Sequence, residues 1–256
     1  MEMAGLSGLR WLVLSLVPFV FVQRWFHREL QQLIYSITHS KQSVAVVFSV
    51  LFFPGVLLHE GSHFLAAKLL GVRTGRFSLK PSLQSNGSLR MGFVEVEKVD
   101  FIRNALIGAA PLFVGAAVIS ALGLYMFDFD VAERMDDSIR ILWQSLQTML
   151  PTAKFWIGLY LVVAISSMML PSSSDWRSWP ALILFFALFG VAAYLAGLWG
   201  WFMPTVSRWT DRFLFDTGVV FSFSLLVHLV FMIPVLLLRV GVNRLSGQRQ
   251  QKTAKP

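Results

Sequence analysis

The chain has 256 residues, 55% of them hydrophobic and only 14% charged, with a mean hydropathy of +0.63. That balance excludes an ordinary soluble domain and a disordered chain, and leaves room for about six spans of ~20 residues with no separate soluble domain. The formal charge of +8 is scattered between apolar stretches and in the tail, where membrane topology accounts for it without nucleic acid.

The expected fold is an all-α polytopic membrane protein with about six transmembrane helices. Spans fall at about 6–22, 44–70, 104–127, 155–170, 180–203 and 218–238. The first resembles a signal peptide in length, but no small-residue cleavage site follows, and Gln23-Arg24-Trp25 reads as an interfacial anchor. His27 and His39 then fall in an outer loop as surface residues. The second span carries His59-Glu60-Gly61-Ser62-His63, with Pro54-Gly55 one turn earlier as a kink and Gly61 opening the motif's face to a neighbouring backbone.

Between the second and third spans, Arg76 to Val99 has strand character. Asn86-Gly87 is a turn signal and Phe93 to Glu97 partly alternates, which predicts a small cytoplasmic β-hairpin at the membrane surface. It serves as a connector, or as an edge that pairs with an extended substrate. Asn104 opens the third span as a helix cap or a substrate-orienting group. Segments 128–150 and 204–216 read as short amphipathic helices in the outer interface. The organisation is one membrane-embedded domain over 1–242, with its core at 44–176, and a basic disordered tail over 243–256 that meets anionic headgroups. No internal or inverted repeat is present.

Grouping alternate loops places fourteen Lys and Arg on one side and eight on the other, which puts both termini in the cytoplasm of the expected bacterial cell membrane. His59 then lies fifteen residues along the second span, roughly 23 Å into a core roughly 30 Å thick, in the cytoplasmic half.

Chance supplies roughly 0.002 HExxH motifs in a chain of this composition, so the motif demands a chemical reading. Residues four apart on a helix share a face, so His59 and His63 can bind one Zn²⁺ while Glu60 lies beside the metal's water as a candidate general base. The chain has no cysteine, so a third ligand must be a histidine or a carboxylate. The acidic run Asp128 to Asp137, with Asp211 and Asp216, falls on the opposite side of the predicted membrane. Asp175, after Pro171-Ser172-Ser173-Ser174 at the cytoplasmic end of the fourth span, lies at the depth predicted for the histidines and is the chosen ligand. Its competing reading is a loop carboxylate paired with Arg177. Glu95 and Glu97 read as exposed, and His228, midway through the sixth span, as a residue bonded to a neighbouring helix. With zinc bound, a water of lowered pKa and a polarised carbonyl imply peptide hydrolysis. A buried polar network without metal is the structural alternative.

These residues resemble the site-2 protease family, zinc metalloproteases that cut substrates within the membrane. The resemblance runs over about 44–176. It rests on the HEGSH motif in an apolar helix, then Gly108-Ala109-Ala110-Pro111-Leu112, similar to the family's Gly-Pro helix, then Ser167 to Asp175, similar to the segment that brings an aspartate. Met168 stands where the family has Asn, Asp175 is one residue closer to Pro171, and Trp176 replaces Gly. The resemblance implies His59, His63 and Asp175 as ligands of one Zn²⁺ per chain, Glu60 as base, and a core made of the second, third and fourth spans. It also implies a transmembrane protein as substrate, met in the lipid bilayer. The rival function is a non-proteolytic zinc-binding membrane scaffold or transporter.

Overall fold

The computed structural model describes residues 7–83, 89–127, 147, 149–172 and 175–245. Among these residues are seven α-helices: α1 (Ser7–Thr38), α2 (Lys41–Leu51), α3 (Phe53–Leu69), α4 (Phe101–Phe127), α5 (Ala153–Met168), α6 (Trp179–Leu195) and α7 (Trp199–Leu245). A 3-10 turn, Asp175–Ser178, precedes α6. Strands β1 (Thr74–Ser78) and β4 (Phe93–Val96) pair antiparallel, as do β2 (Ser82–Leu83) and β3 (Leu89–Arg90). The strands expected between the second and third spans are therefore present; the Asn86-Gly87 turn lies outside the described residues.

Four described stretches are long and apolar enough to cross a membrane: Ser7–Thr38, Phe101–Leu124, Asp175–Leu195 and Val206–Arg244. On α6, Ile183, Leu184, Phe186, Leu188 and Leu195 are all exposed, a surface that suits hydrocarbon and not water. Several long apolar helices thus mark a membrane protein of the all-α class.

Several boundaries differ from the sequence reading. The second span is two helices, α2 and α3, broken at Phe52, so a straight-rod depth for His59 does not apply. Pro54 sits in the first turn of α3, where its missing N–H costs no helical bond. Segment 204–216 is not a separate amphipathic helix but part of α7. The fifth span ends earlier than drawn: Gly197, at φ 71°, closes α6 with Leu198 N–H donating to Ala193 O and Gly197 N–H to Tyr194 O. Segment 128–150 lies almost wholly outside the described residues. α7 runs to Leu245, three residues into the stretch read as tail.

By contacts the chain divides into two compact units. The first combines Met1–Leu51, Lys80–Gly92 and Asp211–Pro256. The carboxylate of Asp211 caps α1, accepting from Gly8 N–H at 2.7 Å and Ser7 Oγ at 2.7 Å, as an anion at a helix N-terminus should. Trp11 stacks on Phe215, Phe19 packs tilted against Phe221, and Arg239 pairs with Glu29. Contacts that advance together along both helices mean that α1 and the second half of α7 run parallel. His27 is not a loop residue: it belongs to α1, edge-on to Phe48 at 5.1 Å. His39 ends α1 in a left-handed conformation, at φ 53°.

The second unit comprises Phe52–Leu79 and Phe93–Thr210. Here α3, α4 and α5 pack on one another, and the β1–β4 sheet lies against α3. Val96 and Val99 pack against the buried Ala67, Val72 and Ile107, which ties the sheet to the α3–α4 pair. Asp100, not Asn104, caps α4: its Oδ1 accepts from Arg103 N–H at 3.0 Å. That bond, with the Arg103 guanidinium at 3.3 Å, holds the Asp100 carboxyl below its ordinary value.

Gly61 faces open space, whereas a Cβ on Gly55 would run into the backbone carbonyl of Ala164 on α5. The close approach expected at Gly61 therefore belongs to Gly55. Gly55→Ala must push α3 and α5 apart, at a cost of about 1–3 kcal/mol, read as a melting temperature several degrees lower in detergent. Gly61→Ala is expected to leave the melting temperature unchanged or to raise it, since alanine favours the helix interior.

Candidate metal centre

The helical spacing of α3 puts His59 and His63 one turn apart on one face, with ring centroids 4.8 Å apart and planes at 86°. Each ring is held through Nδ1 by a main-chain carbonyl of a neighbouring helix. His59 Nδ1 lies 2.5 Å from Met168 O and His63 Nδ1 lies 2.8 Å from Ile107 O. A carbonyl only accepts, so in both rings the proton sits on Nδ1 and the lone pair on Nε2. The two Nε2 atoms face each other at 3.2 Å.

Met168 can accept from outside because α5 stops there. Pro171 has no N–H to continue the ladder and biases Leu170 away from helical geometry, so the last carbonyls of α5 are left for other donors. Ile107, in contrast, is inside α4.

Asp175 completes the cluster. Its Oδ1 lies 3.5 Å from His63 Nε2 and its Oδ2 lies 3.9 Å from His59 Nε2. Ser172 holds the carboxylate, donating to Oδ2 from its N–H at 2.7 Å and from Oγ at 2.6 Å. Asp175 N–H donates back to the Ser172 main-chain O at 3.1 Å, which closes the turn between them. Gly108 of α4 lets this turn approach: a Cβ there would sit 2.7 Å from Asp175 O and 3.2 Å from its Cα. The three donor atoms lie within 4.8 Å of one another and could hold a metal ion; no other such group occurs among the described residues.

Glu60 is half-buried on the same turn of α3. Among the described residues, the other carboxylates and histidines weighed from the sequence take no part in the cluster. His228 is buried in the first unit, with Nδ1 2.8 Å from Ser224 O of its own helix and its ring edge-on to Phe19 and Phe26 of α1. Glu95 and Glu97 are exposed, as expected. Asp211 caps α1, Asp216 lies 4.0 Å from Arg212, and Asp128 to Asp137 lie outside the described residues. Sequence reasoning did not find Ser172 or the two carbonyl acceptors. The S-x-x-D spacing from Ser172 to Asp175 was the available signal for the first.

Compared with known protein families, curated proteins and solved structures, the chain matches none.

Ser172→Ala removes one of the two bonds that orient Asp175 while sparing all three donor atoms. The expected outcome is metal affinity about tenfold weaker, by chelator competition, in a protein of unchanged helicity. Retention of full affinity would show that the Ser172 hydroxyl has no orienting role.

Proposed function

We propose that this protein is an intramembrane zinc endopeptidase of the site-2 protease type. The observation that carries the reading is the convergence of His59, His63 and Asp175, with both imidazoles locked as Nδ1–H tautomers and an HExxH glutamate on the same turn. The donor set fits zinc. Two neutral imidazoles and one carboxylate are the His₂-carboxylate ligands of hydrolytic zinc sites, which leave a fourth position open. Bonds of about 2.0–2.1 Å in a tetrahedron put donor atoms roughly 3.3–3.4 Å apart. The Nε2–Nε2 separation of 3.2 Å and the His63 Nε2–Oδ1 separation of 3.5 Å bracket that value, while the 3.9 Å from His59 Nε2 to Asp175 Oδ2 must close by about half an ångström for all three to bind.

Zinc held there would supply Lewis acidity, polarising a substrate carbonyl and bringing the pKa of a water to about 7. The remaining chemistry falls to the chain. The Glu60 carboxylate takes the proton of the attacking water as its oxygen bonds to the carbonyl carbon. It delivers that proton to the amine nitrogen as the C–N bond breaks. The histidines hold their Nδ1 protons throughout, because each is committed to a carbonyl. A transmembrane substrate must unwind locally first, since a helix keeps its carbonyls in its own hydrogen bonds.

The test measures zinc content and cleavage of a transmembrane reporter in the same detergent-purified samples. Wild type is expected to bind about one zinc and cut, Glu60→Gln to bind zinc but lose cleavage by at least ~100-fold, and Asp175→Asn to lose both. Chelation should abolish cleavage and zinc restore it. Zinc binding without cleavage in any sample, wild type included, would replace this reading with a zinc-dependent scaffold or transporter.

A further inference from the structure

Ile107 sits in the second turn of α4, where its carbonyl should accept from the N–H four residues on. That residue is Pro111, which has no N–H. The carbonyl is therefore left without its helical donor, and the group that reaches it is the Nδ1–H of His63, at 2.8 Å. Pro111 is itself fully buried, so no water supplies a substitute donor from its side. A residue with an N–H at 111 would compete with His63 for the same oxygen, and the winner would decide whether His63 presents a lone pair or a proton at Nε2.

We infer that Pro111 is a positioning residue of the metal centre: by withholding a backbone N–H it reserves the Ile107 carbonyl for His63 and so fixes the ring's tautomer and orientation. The same turn of α4 carries Gly108, which admits the Asp175 backbone. One turn of one helix thus sets two of the three donors. This inference deepens the zinc reading and rests on it for its consequence, but the tautomer itself is a property of the metal-free chain.

The experiment uses the full chain in detergent with ¹⁵N-labelled histidine. The His63 signals are assigned by difference against His63→Gln, and zinc affinity is measured by chelator competition. In metal-free wild type, His63 is expected as a single Nδ1–H tautomer. Pro111→Ala restores the N–H, and is expected to give a mixture of tautomers and zinc affinity weaker by about tenfold or more. Replacing Pro111 with lactic acid puts an ester oxygen in place of the nitrogen; it removes the ring but supplies no N–H, and should keep the wild-type tautomer and affinity. The inference is overturned if Pro111→Ala leaves the tautomer unchanged, or if the lactic acid chain loses as much as Pro111→Ala, which would make ring packing the cause. If wild type binds no zinc, the protease reading fails while the tautomer comparison still decides the role of Pro111.

Discussion

Two imidazole N–H groups inside an apolar helix bundle have to find acceptors, and helices normally use every carbonyl they own. The second unit resolves this with carbonyls that its own helices do not need. Met168 O is available because α5 ends before Pro171, and Ile107 O because Pro111 cannot donate. A proline inside a soluble helix costs about 3 kcal/mol. In hydrocarbon the loss falls on an unpaired carbonyl, and a neighbouring side chain that pairs with it offsets much of that cost. Ligand orientation and helix stability are thus served by the same two hydrogen bonds.

Close packing follows from the same need. For His59 and His63 to reach carbonyls on two other helices, α3, α4 and α5 must approach at backbone distance, and the glycines lie where they do. Gly55 meets the Ala164 carbonyl, Gly108 meets Asp175, and a Cβ on Gly115 would sit 2.6 Å from the Met169 side chain. With no hydrophobic force between helices in lipid, small residues at contacts are the main means of gaining dispersion energy and short hydrogen bonds. The first unit uses the same device, with Gly8 against Asp211 and Gly218 against Trp11, and adds large buried rings, Phe19 and Phe26 edge-on to His228.

Much of the candidate site was legible because its signals are local. His59, Glu60 and His63 follow from a helical period, and Asp175 was placed by its position after Pro171 at a span end. His27 shows where such reading stops: read as a surface residue of a loop, it lies within α1, edge-on to Phe48. Composition near a residue cannot tell which face of a 32-residue helix is covered, and hydropathy cannot see a helix continue through 204–216 when polar residues interrupt its apolar run.

The sequence by itself determined that the chain is helical and membrane-embedded, that two histidines share a helix face, and that prolines stand at 54, 111 and 171. These depend only on hydropathy, on the helical period and on the missing proline N–H. The tertiary structure alone decided which carbonyls the prolines release, that Asp175 comes within 3.5 Å of His63, and that α1 and α7 run parallel. Each of those joins residues far apart in the chain, and which distant backbone meets a given turn depends on how whole helices pack, a property of no single segment.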